Sequence, residues 1–180
     1  MNIIKQKRPV EYIIYSTIIM VGVILDQLTK WLAVKFLEPI DTFPLLKSVL
    51  HLTYVENEGA AFGMMKDSRW IFMTVSSIAI LVFLAYLYLG HAENMLYAVS
   101  LAMVISGGIG NMIDRIALGY VVDFIDFRLI NFAVFNGADS FVCVGAGMLI
   151  LALVLDIIKE YKAEKTTKEV AEDAANSEEK

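Results

Sequence analysis

The chain holds one cysteine, two histidines and three prolines among 180 residues, and only 19% of its residues are charged. A single cysteine, Cys143, excludes an intrachain disulfide. It lies in an apolar run and is expected to pack, since a reactive thiol needs an electropositive, accessible setting. His51 and His91 are far apart and lack metal-ligand spacing, so no metal and no other cofactor is expected. The net charge of −5 is set in part by the tail from Lys159 to Lys180, which carries seven acids and five lysines, and no nucleic-acid partner is expected. What replaces charge is apolar surface. The chain is 58% hydrophobic with a mean hydropathy of +0.63, against roughly 45–50% apolar residues in a soluble domain. The composition is that of a chain crossing a membrane several times.

A membrane-spanning helix needs about 20 mostly apolar residues. Four runs qualify: about Val10 to Lys30 or slightly beyond, Trp70 to Leu89, Met95 to Ile113, and about Ala138 to Ile158. Gly90 to Asn94 forms a tight turn, so the second and third spans make a helical hairpin. Lys5, Lys7 and Arg8 precede the first run as in a secretory signal, but that run is too long and Asp26, Lys30 and Trp31 follow it in place of small residues. It is read as the first span. His51 to Val55 alternates as a strand does, and the small residues of Asn57 to Gly63 permit close backbone approach, so a small sheet on the membrane surface is expected. The expected organisation is a membrane unit over 1–158, with outer loops 31–69 and 114–137, and a polar cytoplasmic tail over 159–180. The tail is rich in Ala, Glu and Lys and is expected to be frayed helix or disordered.

Basic residues flank both ends: Lys5, Lys7 and Arg8 before the first span, and Lys159, Lys162, Lys165 and Lys168 after the fourth. The positive-inside rule then puts both termini in the cytoplasm and the two long connections outside. That orientation gathers the polar residues of the apolar runs at one depth. Asp26 and Lys30 close the first span; Asn111, Asp114 and Arg115 close the third; Asn136 and Asp139 open the fourth. An ionisable group near hydrocarbon costs roughly 2.5–3.5 kcal/mol on insertion scales and marks function or tight pairing.

Each group also has a purely structural explanation. Asp26 and Lys30 are four residues apart, the spacing of a helical ion pair. Asn111, Asp114 and Arg115 share a helix face, and Arg115 makes Asp114 a weaker candidate for an acid that shares a proton. Asn136 and Asp139 have the spacing of a helix-capping box. Asp123 and Asp126 both lie in the apolar stretch VVDFIDF, and spacing does not choose between them.

These blocks together resemble one family. DQLTK (Asp26 to Lys30), NEGAAFG (Asn57 to Gly63), GGIGNMIDR (Gly107 to Arg115), VVDF (Val121 to Phe124) and FNGAD (Phe135 to Asp139) match, in order and spacing, the lipoprotein signal peptidases, the bacterial type II signal peptidases. The likeness covers about residues 10–158. It implies an all-α membrane fold of four transmembrane helices with a small extracytoplasmic β-sheet, or cradle, and a short surface helix. It implies a multi-pass protein of the bacterial cytoplasmic (inner) membrane, with its active site at the outer face.

The resemblance further implies an aspartic endopeptidase whose catalytic pair is Asp123 and Asp139, in preference to Asp126. Asp26, Lys30, Asn57, Gly108, Asn111, Asp114, Arg115 and Asn136 would bind substrate or support the pair. Gly137 departs from the family, which often has an aliphatic residue there. The implied substrate is a diacylglyceryl-modified prolipoprotein, cut before the modified cysteine. Implied partners are membrane lipids and globomycin-type lipopeptide inhibitors, and a monomer is expected. Chemically, two carboxyls in one site do not ionise together, so one can act as base and the other as acid. A competing class, an ion or proton transporter, would need a polar path to the inner face. Spans two and three carry no ionisable residue on their inward halves.

Overall fold

The computed structural model describes residues 9–59, 69–92 and 94–178, with backbone alone at 69 and 170–178. Expectations resting on Lys5, Lys7, Arg8 and Ala60–Gly63 lie outside the described residues. The elements run α1 (Pro9–Phe36), β1 (Thr42–Leu46), β2 (Leu50–Asn57), α2 (Arg69–Tyr88), α3 (Met95–Ala117), β3 (Val121–Phe127), a 3-10 turn (Arg128–Ile130) and α4 (Gly137–Glu178). Four of these helices are long and apolar enough to cross a membrane. Their outward faces are apolar side chains such as Ile13, Ile24, Val75, Leu81, Ile150 and Ile157, all exposed, as lipid contact requires. The protein is a multi-pass membrane protein.

Two helices run further than the apolar pattern indicated. Asp26 and Lys30 lie inside α1, which continues to Phe36 because Ala33 and then Leu37 bury against the sheet. Pro39, which cannot donate to a helix, follows its end. α3 likewise continues four residues past Ile113, to Ala117, where Leu118 and Gly119 both donate to the Asp114 carbonyl and Gly119 takes a positive φ of 94°. The hairpin between α2 and α3 is as expected. Gly90 has φ 82°, and Asn94 caps α3 by accepting from the backbone N–H of Leu96 and Tyr97. The polar tail is continuous helix with α4, edged by exposed pairs Lys165–Glu169 and Lys168–Glu164.

α3 is the central helix and touches the other three. Apolar surface in lipid gains nothing by leaving hydrocarbon, so close packing through small residues takes over. Cβ atoms added at Gly107 and Gly145 of these two helices would run into the Ala138 and Ser100 carbonyl oxygens respectively, which shows how tightly α3 and α4 meet. Along α1 and α3 three pairs succeed each other at four-residue steps: Gly22 against Ser106, Asp26 against Gly110, and Lys30 bonded to Asp114.

β1, β2 and β3 form an antiparallel sheet in that order. Between Leu52 and Val55 the β2–β3 register slips, so Thr53 and Tyr54 oppose Phe124 alone, a bulge that bends the sheet. The core is split. Tyr15, Leu87, Tyr97, Leu101 and Ile105 form one cluster toward the end of the bundle away from the sheet. Ala33, Leu37 and Val122 form another under it. The polar residues of the apolar runs lie between the two.

Candidate active site

The deepest layer is an ion cluster joining α1 to α3. Lys30 Nζ lies 2.9 Å from Asp26 Oδ2 and 3.0 Å from Asp114 Oδ2, and donates to Asn111 Oδ1 at 2.8 Å. All three of its protons are placed. Asp26, Lys30 and Asp114 are buried, where an unpaired charge would be strongly destabilising. Each carboxylate also holds a neighbouring backbone N–H. Asp26 Oδ1 accepts from Ala138 N–H at 2.8 Å, fixing the start of α4, and Asp114 Oδ2 also accepts from Val122 N–H at 3.1 Å, fixing β3. The i, i+4 pair expected in α1 is therefore part of a tie among α1, α3, α4 and β3.

Asn136 and Asp139 form the expected capping box. Asp139 N–H donates to Asn136 Oδ1 at 2.9 Å, and Asn136 N–H to Asp139 Oδ2 at 3.2 Å. With its oxygen taken, Asn136 turns its amide nitrogen toward Asp123 Oδ1 at 2.6 Å and Asn111 Oδ1 at 3.0 Å. Asn111 in turn donates to Asp139 Oδ1 at 2.7 Å. Asn57 accepts from Gly59 N–H through Oδ1 and donates to Asp123 Oδ2 at 2.9 Å. One residue, Asn136, thus bonds both carboxyls, that of Asp123 through its side-chain amide and that of Asp139 through its backbone N–H.

Asp123 is 2% exposed. Burial pushes its carboxyl up, to about 7; the hydrogen bond from Asn57 opposes this, and the neighbouring Asp139 adds to it. Asp126, three positions along the same strand, faces the other way, as a period of two requires. Its carboxyl accepts from Thr53 at 2.7 Å and from Arg128 Nε at 2.8 Å, and its pKa falls below the usual carboxylate value because those hydrogen bonds and the Arg128 charge outweigh its burial. Both carboxyls that spacing left open are accounted for, on opposite faces of one strand.

A cavity of about 520 Å³ opens beside the pair. Asn57, Asn111, Arg115, Asp123 and Asp139 line its polar side; Phe132, Val134, Phe135 and Val144 give apolar wall. Arg115 lies near the Phe72 ring and donates to the Asn111 carbonyl at 3.4 Å. Ser140 and Cys143, below Asp139 on α4, also reach the cavity. Cys143 is exposed and borders the cavity, where the expectation was of a packing residue. The histidines stay apart: His51 approaches Thr42 in the sheet, and His91 stacks on Tyr86 at the opposite end of the bundle.

The expected site residues therefore converge, with one exception. A Cβ added at Gly108 would meet only Ile80 of α2, so this glycine serves helix packing. The glycine against the ion cluster is Gly110, where a Cβ would strike Asp26 Oδ2. Gln27 was also missed by sequence reasoning. Its amide donates to Asp114 Oδ1 at 3.0 Å, to the Gly110 carbonyl at 3.2 Å and to Asp26 Oδ2 at 3.3 Å. The four-residue register of Asp26 and Lys30 against Gly110 and Asp114 was the signal that could have found Gly110. At Gly137 an added Cβ would make only ordinary contact with Asp26 and Thr29, so the departure from the family pattern leaves the helix start intact.

Four membrane spans, a small antiparallel sheet at one end and a carboxyl-lined cavity between them define a multi-pass membrane enzyme. The particular family follows from comparison. A family model described as "Signal peptidase (SPase) II" matches residues 18–155, and the chain belongs to that family. A lipoprotein signal peptidase of Caldanaerobacter subterraneus subsp. tengcongensis is 53% identical over 127 residues, 71% of this chain and 86% of that one. A lipoprotein signal peptidase of Halalkalibacterium halodurans is 42% identical over 154 residues, covering 84% and 97%. A solved bacterial membrane enzyme structure, obtained in meso at 2.3 Å, superposes with a TM-score of 0.74 at 31% identity, covering 79% of this chain and 88% of that one.

Proposed function

We propose that this signal peptidase II family member cleaves diacylglyceryl-modified prolipoproteins by water attack, with Asp123 and Asp139 as the catalytic pair. The observation that carries this reading is Asn136, which donates to the Asp123 carboxyl through its side-chain amide and to the Asp139 carboxyl through its backbone N–H, beside a cavity that both residues line. Two carboxyls so placed titrate as a unit, with one able to keep its proton while the other is ionised. The upward-shifted Asp123 supports such a split near neutral pH.

In the reaction, the carboxylate takes a proton from water as its oxygen bonds to the scissile carbonyl carbon. The carboxylic acid donates a hydrogen bond to the carbonyl oxygen and then protonates the departing amine as the C–N bond breaks. No metal is needed for either transfer. Asn57, Asn111 and Asn136 hold the carboxyls; Asp26, Lys30, Gln27 and Asp114 hold the helices that carry them. The site lies where apolar helices meet the sheet, the depth at which a signal helix would leave hydrocarbon. We place the sheet end at the outer face of the bacterial inner membrane and both termini in the cytoplasm. Globomycin-type lipopeptides would compete for the same half-polar, half-apolar cavity.

The test uses purified protein in detergent with a lipidated precursor and its unlipidated counterpart. The expected products, mapped by mass, are the free signal peptide and a chain beginning at the modified cysteine, formed from the lipidated precursor only. Cleavage elsewhere, or equal cleavage of both precursors, overturns the assignment.

A further inference from the structure

The two carboxyls have unlike surroundings. An ammonium only donates hydrogen bonds. The Asn111 atom 2.8 Å from Lys30 Nζ must therefore be the amide oxygen, and Asn136 Nδ2 donates to the same oxygen at 3.0 Å. This fixes the Asn111 amide in one orientation and aims its NH2 at Asp139 Oδ1, 2.7 Å away. Reversal of that amide would set NH2 against the ammonium. Asp139 also sits in the first turn of α4, where the aligned peptide dipoles favour a negative charge, and its other oxygen takes the Asn136 N–H. Asp123 is held differently, and the Lys30 charge acts on it only as the weakest of the influences there. It lies on a strand, almost wholly buried, and its partners at hydrogen-bond distance are the neutral amides of Asn57 and Asn136.

We propose that Lys30 is a positioning residue that acts on Asp139 through the Asn111 amide, so that Asp139 carries the charge and accepts the proton of water while Asp123 holds the acid proton. This rests on the reading of Asp123 and Asp139 as the catalytic pair. The other charged groups facing Asp139 do not reverse the asymmetry. Arg115 of α3 interacts with both carboxyls. Asp26 of α1 and Asp114 of α3 are each paired with Lys30. Asp123 of β3 is the partner itself. Burial keeps that partner protonated up to about 7, in agreement.

Two measurements on the full-length enzyme test it. Asn111→Ala leaves both ion pairs of Lys30 in place but removes the relay, and Lys30→Gln removes the fixed donor. In both, kcat is expected to fall about 10–100-fold with KM little changed, and the acid limb of the kcat profile to move to higher pH. A merely structural role would lower the melting temperature and leave the profile where it was, which overturns the proposal. Infrared difference spectra do not depend on those variants folding. At neutral pH the carbonyl stretch of a protonated carboxylic acid should vanish in Asp123→Asn and persist in Asp139→Asn; the opposite pattern overturns the proposal. If either aspartate variant cleaves at the wild-type rate, the catalytic pair itself is wrong, and the two failures are distinguishable.

Discussion

At the scale of single residues, the acids differ by what reaches each oxygen. Asp123 shows how this enters stability. In an unfolded chain its carboxyl titrates near 3.8, and in the fold near 7. Folding therefore favours the protonated form. That contribution is fully present below about 4 and is lost progressively as pH rises from there through about 7. Asp123→Asn removes the ionisation, so its melting temperature should gain on the wild type across this window, by the equivalent of about 2–4 kcal/mol at pH 8. A difference independent of pH would contradict the assignment. The glycines give a second contrast. Gly110→Ala must displace Asp26, which holds both Lys30 and the start of α4, and should cost about 1–3 kcal/mol and at least about tenfold in turnover. Gly108→Ala has only the flexible end of Ile80 to move, and should cost much less in melting and cleavage assays. Residue identities in the motifs pointed to nearly all of the converging polar groups. They did not separate Gly108 from Gly110, because helix facing depends on which neighbour each residue meets, and glycines two positions apart look alike in a sequence.

At the scale of elements, apolar run length gave the number and order of the helices. It placed the ends of α1 and α3 about one turn early. A charged residue was taken as a boundary, whereas Asp26, Lys30 and Asp114 are tolerated inside helices because each is paired. Strand alternation found β2, but the bulge at Thr53–Tyr54 was invisible, since an extra residue leaves no mark on composition. The sheet is stitched on its other face by Thr42, Thr53, Asp126 and Arg128, with Arg128 donating to Thr42 at 3.1 Å and Thr53 bonding Thr42 at 2.9 Å. That network is separate from the cavity. Asp126→Asn should therefore lower thermal stability by on the order of 1 kcal/mol and leave kcat within about twofold, measured by cleavage of the lipidated precursor. An Asp126 variant as inactive as an Asp123 variant would show that the wrong carboxyl has been assigned to the cavity. Gly107→Ala belongs here too. Its Cβ meets the Ala138 carbonyl, so α3 and α4 must separate beside Asp139, and both stability and turnover should fall.

At the scale of the whole molecule, two apolar clusters hold a polar layer between them, and the sheet closes over that layer. The sequence ordered its polar groups at one depth by topology alone. Only the fold shows that Asn136 links them. The helical tail beyond the membrane part of α4 is exposed where its side chains are described and makes its own i, i+4 pairs. Truncation after residue 163 should leave cleavage of the lipidated precursor unchanged within about twofold, and a large loss would give the tail a part in the site.

The central claim is that the carboxyls of Asp123 and Asp139 work as one unit, and a double-variant cycle measures that directly. Asp123→Asn and Asp139→Asn should each lower kcat/KM by at least about 10³-fold, and the double variant should lose no more than the worse single one. Losses that multiply, or either single variant within about tenfold of the wild type, would contradict the account.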